Sequence, residues 1–557
     1  MLKKDQCWRC DHICTTPTPK IYCSGCEVAY YCSEKCKHGD VFRHQVDCQT
    51  AALKRRCSGC GKENRGLKQC DEDILRRQRG HASTATIYYW GNIPAKDLIN
   101  FPQNEGCEYS KPFAVLACGV GDPRNIVLSV SQLPEAYQEE VTFVLNDICA
   151  CTLARTVLIL YLIFKGGEQV ANSVTQIWYS LRLSEEDHQL VINTLQELIQ
   201  ASSLEELTRG TMKIEQDQLH NLVQVWRTWL DLSSRKGNWI TEARRRMFES
   251  DPGSKDGIDL YLKEIPKEHK KSASDWFANG ILLPKESRKR LTHENFTLSG
   301  SDFQVSGNKG AFSYIIQSSV SPFTSWDYKD AQQLSDSVSI LKMYSEYVSH
   351  VLKKCAMTLA TGQVKFHFLL CNCLEMTPFL PPDRKYDRVT TSNIADFVPL
   401  ANLLDTCKPL LNLNNPSSVI ITEFQNWVRF TNLIMEAEKR AFDMVRGDPF
   451  RKRILEDTKN SAIAYSTARQ AFAEYHDHSA EFAMFLRAAL LASEVPDERN
   501  RRRTWKSVAD YNGIIARNFL RCQNRVSGPP ARWLLNCRRV TLLNGFERAV
   551  EWIVKPR

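Results

Sequence analysis

The chain has 557 residues, 43% of them hydrophobic and 25% charged, with a formal net charge of +9 and 21 cysteines. That balance is ordinary for a soluble globular protein, and the length argues against a small disulfide-stapled scaffold. The length calls for two or three modules.

The first residues, MLKKDQCWRC, are charged and polar where a secretory leader would place about 7–15 apolar residues. A reducing compartment is therefore expected: the cytoplasm, with the nucleus as the alternative. Eleven of the 21 cysteines fall within the first 70 residues. Clustered CxxC pairs in such a chain read as metal sites rather than disulfides. The ligand order is Cys7-x2-Cys10-x12-Cys23-x2-Cys26-x5-Cys32-x3-Cys36-x7-His44-x3-Cys48. A tetrahedral Zn2+ takes four such ligands, so eight make two closed sites, which are structural rather than catalytic because no position stays open for water or substrate. Cys14 and His12 stand outside the pattern. Two Zn2+ ions against seven thiolates lower the formal charge to about +6, which argues against nucleic acid as a partner.

With this spacing, residues 7–48 resemble a MYND zinc finger. The resemblance implies an interleaved arrangement in which Cys7, Cys10, Cys32 and Cys36 hold one ion and Cys23, Cys26, His44 and Cys48 the other. It also implies protein partners, docked by the finger and by helical surfaces further on. The family's docking face carries a small polar residue inside the second CxxC, kept here as Ser24. Its usual Gln and Trp are replaced by Lys37 and Val41, so the indole anchor for a proline-containing peptide is missing. A second array, Cys57-x2-Cys60-x9-Cys70, opens like another finger and then stops. The array reads as a decayed, metal-free remnant; the alternative is that His81 completes one tetrahedron.

Residues 1–50 are thus read as the finger and 51–86 as a linker. Beyond it, Phe113–Cys118 is a short apolar run ending at Gly119-Val120-Gly121-Asp122, which reads as a buried strand followed by a glycine turn. Val141–Leu145 gives a second strand with Asn146-Asp147 at its end, where nucleotide-binding α/β folds place the acid that holds ribose hydroxyls. The run TVLILYLIF, residues 156–164, is too short for a membrane span of about 20 residues and reads as a buried helix. Residues 166–359 are expected to be a mainly helical insertion. Within it Ser184 caps a helix with Asp187 three residues on, and residues 251–275 form a surface loop. The strand pattern resumes at 364–376 with Asn372 near its end. Tyr386–Ser392 then reads as strand, Ile394–Leu411 as helix and 417–424 as strand, so residues 87–165 and 360–425 form one split domain. Residues 426–535 are expected to be helical, with a basic run, RNRRRTWK, that reads as a solvated loop. Residues 536–557 are expected to return to the sheet as a strand and turn.

Four stretches, YYWGNIPAKDLIN, VLACGVGDPRNIVLSV, FVLNDICACTLARTVLILYLI and YDRVTTSNIADFVPLANLL, resemble an uncharacterised domain family. Its members include dynein axonemal assembly factors and many invertebrate and fungal proteins that also carry MYND fingers. The resemblance implies an α/β fold: a Rossmann-like, methyltransferase-type parallel sheet interrupted and extended by helical insertions, here preceded by a two-zinc finger. It also implies candidate cofactor-binding residues, Gly119, Gly121, Asp122, Asp147 and Asn372, for S-adenosylmethionine. The glycine motif departs from that type, with Ala117 at the acidic position and Pro123 at the third glycine; proline offers no N–H and fixes φ. His367 reads as core packing. No GxSxG, HExxH or GxxxxGK[ST] occurs, nor the Asn-His-Ser-Cys signature of SET-domain methyltransferases. The expected function is a zinc-binding adaptor on a degenerate methyltransferase-like scaffold, engaged in assembly of protein complexes. An active methyltransferase is the alternative, and transcriptional co-regulation through the finger a third.

Overall fold

The computed structural model describes residues 21–22, 30–39, 87–250, most of 257–427, and short stretches between 482 and 555. A nine-stranded sheet organises the described part of the chain. Its strands are β1 (Phe113–Cys118), β2 (Val141–Asp147), β3 (Met212–Ile214), β4 (Val364–Leu370), β5 (Arg388–Thr390), β6 (Val419–Phe424), β7 (Asp510–Tyr511), β8 (Ile514–Ala516) and β9 (Arg548–Val554). The order across the sheet is β7-β8-β9-β6-β5-β1-β2-β4-β3. The six strands from β6 to β3 run parallel, whereas β9 lies antiparallel between β6 and β8.

Every residue of β1, β2 and β6 is buried, as expected where helices cover both faces of a parallel sheet. Alternation along a strand sends successive side chains to opposite cores. Phe113, Val115 and Ala117 join the larger core. Ala114, Leu116 and Cys118 join the smaller one, together with α7 (Leu400–Cys407). The larger core is built by α1 (Arg124–Ser131), α2 (Ala150–Gly166), α3 (Ala171–Tyr179), α4 (Glu185–Gln200), α5 (Gln216–Ser233) and α6 (Ile340–Ala360). Ser184 caps α4, its hydroxyl accepting from Asp187 N, and three acids in the first turn face the positive end of the helix dipole.

The stretch Ala150–Tyr179 is long and apolar enough to cross a membrane by composition, but 78% of its most apolar window is buried inside the protein. Gly167, at φ 62, ends α2 within it.

Several elements differ from the sequence expectation. The insertion is not purely helical, because Met212–Ile214 joins the sheet beside β4, with Phe366 opposite Met212. Residues 267–275, placed in a surface loop, belong instead to a 3-10 turn, Lys267–His269, and the helix Lys270–Asn279, which buries Ala273 and Trp276. Strand β4 stops at Leu370 because the Asn372 side chain accepts from Leu374 N and starts a 3-10 turn. The expected helix Ile394–Leu411 is broken by Pro399 into a 3-10 turn, Ser392–Asp396, then α7 and a last turn, Lys408–Leu410. Residues 510–511 and 514–516, placed in a helical block, are strands. The basic run 499–506 lies outside the described residues.

Candidate functional site

Skipping the short edge strand β3, the chain order of the central strands reads 3-2-1-4-5 across β4-β2-β1-β5-β6. The chain leaves β1 toward one side first and later returns to its other side. Connections therefore diverge at the carboxyl ends of β1 and β5, the place where open α/β sheets form a crevice. A cavity of about 330 Å3 lies there. That is near the small end of the ~300–1,000 Å3 range of ligand pockets.

Four strand ends and one strap line the cavity. Gly119, Val120 and Gly121 follow β1, Asp147 and Ile148 close β2, Asn372 follows β4, and Ser392 to Ile394 follow β5. Gly119 and Gly121 have φ of +63° and +59°, a turn that glycine makes without strain. The strap is the loop through Tyr88, Trp90, Gly91 and Asn92. It is fastened by Trp90, whose Nε1 donates to Trp178 O at 2.6 Å, and by buried Arg155, whose Nη1 donates to Tyr89 O at 3.3 Å. Asn92 and Gln425 exchange side-chain amide hydrogen bonds across to the end of β6.

Of the five residues named from the sequence as cofactor-binding, Gly119, Gly121, Asp147 and Asn372 line the cavity and Asp122 does not. Asp147 holds the walls together: Oδ2 accepts from Gly121 N at 3.1 Å and Oδ1 from Cys149 N at 2.9 Å. Each oxygen keeps a lone pair for a ligand hydroxyl. Asp122 is a structural tie. Its carboxylate pairs with Arg124 and accepts from Gly91 N at 3.1 Å, and Arg124 Nε donates to Ile93 O at 3.1 Å. The reason is proximity in the turn: with Pro123 between them, Asp122 and Arg124 meet each other and the strap rather than the cavity.

Arg124 is the one side-chain cation among the lining residues, and Asp122 neutralises it. Among the described residues the cavity thus offers a carboxylate, amides and apolar surface, with no free counter-charge for a phosphate. His367 is buried in mid-strand, and burial lowers its pKa.

The strap tolerates no side chain at Gly91. A Cβ there would sit 2.2 Å from Arg124 Nε, and the guanidinium is held in place by Asp122 and Ile93. Gly91→Ala is expected to cost about 1–3 kcal/mol, the usual range for overpacking, read as a lower melting temperature of the α/β domain.

Burial raises the Asp147 carboxyl from 3.8 to about 6. It raises Asp396, which ties the loop after β5 to Gln425 N and Asn426 N, to about 7. A carboxyl that binds its proton more tightly when folded stabilises the fold fully below its unfolded pKa, and that contribution is lost as pH rises through the folded value. The α/β domain is therefore expected to melt at a higher temperature at pH 5 than at pH 8. Asp396→Asn, which keeps an oxygen for both backbone donors, is expected to raise the pH 8 value and flatten the profile. Scanning calorimetry at the two pH values checks this.

In the amino-terminal region, Ile21–Tyr22 pairs antiparallel with Tyr30–Tyr31, and the short helix Glu34–Gly39 follows. Its spacing brings Cys32 Sγ to 3.6 Å from Cys36 Sγ. Two thiolates on one tetrahedral zinc at Zn–S ~2.3 Å stand ~3.8 Å apart, so the pair fits a shared ion. The other six residues of the expected ligand set, Cys7, Cys10, Cys23, Cys26, His44 and Cys48, lie outside the described residues, as do Cys57, Cys60, Cys70 and His81.

The family model of the MYND finger matches residues 7–48. The amino terminus is a MYND finger. Fingers of this family bind zinc and mediate protein–protein interaction. A second family model, described as a domain of unknown function (DUF4470), matches residues 89–183. It spans the strap from Tyr89, then β1 through α3, and so includes Gly119, Gly121 and Asp147 but not Asn372. No curated protein and no solved structure matches the chain.

The strap and the loop after β5 lie in two of the stretches that carry the family resemblance, YYWGNIPAKDLIN and YDRVTTSNIADFVPLANLL, but no cofactor-binding residue was named in either; the signal available was that a loop after a parallel strand faces the crevice by construction.

Proposed function

We propose that this chain is an adaptor whose zinc finger presents a surface to other proteins and whose α/β domain serves as a methyltransferase-type scaffold in assembling protein complexes. The carrying observation is the eight-ligand array, two of whose sulfurs stand 3.6 Å apart. Cys7, Cys10, Cys32 and Cys36 would hold one Zn2+, and Cys23, Cys26, His44 and Cys48 the other. The zinc shapes the segment and takes no part in a reaction. The 3-2-1-4-5 strand order, shared with doubly wound nucleotide folds, supports a Rossmann-like scaffold. The likeness to a domain family that includes dynein axonemal assembly factors supports work in complex assembly. Affinity capture with the full chain tests this: partners should be lost on Cys23→Ser or His44→Ala, and an unchanged partner list would remove the finger from the interaction.

The cavity favours a second reading, a methyltransferase that uses S-adenosylmethionine. Asp147 would take the ribose hydroxyls and Asn372 the adenine side, and a cavity without phosphate counter-charge suits an adenosyl group. When bound, the cofactor supplies an electrophilic methyl group. Among the described residues, no histidine, lysine or glutamate lines the cavity to serve as a base, which is why the scaffold reading stands first. Calorimetry decides between them. Binding that vanishes in Asp147→Ala and persists in His367→Ala supports the enzyme. No heat at millimolar cofactor leaves the scaffold.

A further inference from the structure

The cavity carries an unbalanced charge whose sign neither reading above uses. Asp147 is 8% exposed and lines the wall. Its oxygens accept from Gly121 N and Cys149 N, and among the described residues no cation pairs with it. The backbone donors offset part of the cost of burying a carboxylate, so burial raises the carboxyl only to about 6 and leaves it mostly ionised at neutral pH. The other charged or sulfur groups on the wall do not balance it. Arg124 is neutralised by Asp122. Burial pushes the thiols of Cys371 and Cys373 up to about 11 and about 12, which leaves both uncharged. Cys149 has its pKa lowered, chiefly by a hydrogen bond with Cys151, and could add only charge of the same sign.

A metal ion is a poor counterpart for this carboxylate. Among the described residues no group of three or more His, Cys, Asp or Glu side chains could hold one, and a hard cation takes roughly six oxygens. An organic cation needs one anion and a wall that keeps water away. The wall supplies Trp90, Ile394 and Val398, with Ile148 and Phe397 further out, each 39% exposed. These are two of the seven large apolar side chains left exposed among the described residues, and both stand at this one cavity. Exposure therefore orders the site, with the anion deep and an apolar rim outside it. Ser392, on the same wall, is a non-glycine residue at φ 47, and backbone strain of that kind collects at ligand clamps.

We propose that the cavity binds a small primary amine on an alkyl or aryl body, its ammonium paired with Asp147 and its apolar body against Ile148 and Phe397. An ammonium brings three N–H donors, and two of them match the lone pairs that Gly121 and Cys149 leave on the carboxylate. Anions are rejected, because a carboxylate or phosphate would meet Asp147 with no free cation beside it. The adaptor reading is untouched. The cofactor reading asks for a different occupant, since the amino-acid end of S-adenosylmethionine carries a carboxylate of its own.

Titration calorimetry of the zinc-loaded full chain with three probes of one shape tests this: phenethylamine, phenethyl alcohol and hydrocinnamate. The amine should bind, the alcohol should bind about tenfold more weakly, and the anion should give no heat. Asp147→Asn, folded by circular dichroism, should weaken the amine roughly thirtyfold and leave the alcohol unchanged. Phe397→Lys, at an exposed rim position, should weaken the amine through added positive charge, and it tests the place of binding even where Asp147→Asn does not fold. Equal binding of amine and alcohol, no heat at millimolar amine, or an amine affinity that neither variant changes would overturn the proposal. S-adenosylmethionine in a parallel titration separates the two readings of the cavity. Heat from the amine alone supports the amine site and removes the enzyme, whereas heat from the cofactor alone does the reverse.

Discussion

Replacing Arg388 with alanine is expected to destabilise the α/β domain by about 3–5 kcal/mol, the cost of stripping one partner from a buried ion pair. Arg388 opens β5 and is fully buried. Its guanidinium meets both oxygens of Glu105, at 2.9 and 2.7 Å, and donates to the carbonyls of Ile99, Asp387 and Ser417. It also packs 5.0 Å over the Phe113 ring, where β1 begins. Removing it leaves the Glu105 carboxylate, its side chain 3% exposed, with Asn415 Nδ2 as its one side-chain donor among the described residues. Arg388→Lys should rescue less than half of the loss, because a point ammonium cannot span two carboxylate oxygens. Arg388→Met with Glu105→Leu should recover more than the alanine variant, since it removes the buried charge together with its partner. Scanning calorimetry of the α/β transition in the four proteins gives the ranking. A near-neutral Arg388→Ala would mean that water reaches Glu105 and that this end of the sheet is not the sealed anchor it forms here.

The same arginine shows what a sequence reading can and cannot reach. Strands β1 and β2 were legible because parallel strands buried on both faces read as uninterrupted apolar runs, and α2 because its apolar run is longer than a strand needs. Asp147 was legible because strand ends carry function in such sheets. Strand β3 was hidden: Met212-Lys213-Ile214 is three residues long and acquires its identity only by pairing with Phe366, His367 and Phe368, about 150 residues away. Arg388 was hidden for the same reason, since nothing local marks it as fully buried until Glu105 arrives from a distant loop. Asp122 misled in the opposite direction. It stands where a ligand-binding acid would follow a glycine turn, yet Arg124 two residues later claims it. A local motif reports which chemistry is available at a turn, while long-range partners decide whether that chemistry faces the cavity or the strap.

Removing zinc is expected to have the largest effect of all and to confine it to the amino terminus. A segment of 42 residues buries too little surface to fold by itself, whereas structural zinc contributes on the order of 10–16 kcal/mol of apparent binding energy. Cys32 and Cys36 are held at 3.6 Å by a single helical turn, in which Cys36 N donates to Ser33 Oγ at 3.2 Å. Two unscreened thiolates at that distance repel, so without the ion at least one must take up a proton or the turn must open. Native mass spectrometry of the full chain should therefore show two zinc ions. A strong chelator should strip them and expose residues 7–48 to protease. Among the described residues of the α/β domain no group of three or more His, Cys, Asp or Glu side chains could hold a metal ion, so its melting temperature should stay where it was. Cys36→Ser should lower the zinc count, and Cys14→Ser, outside the ligand pattern, should leave it at two. Acid should act like the chelator, because thiolates that gain protons release the ion. The finger should therefore be lost on acidification over the same span in which the α/β domain gains stability. Parallel responses of both regions to chelator would sink this division of labour, because the metal would then be supporting the sheet as well as the finger.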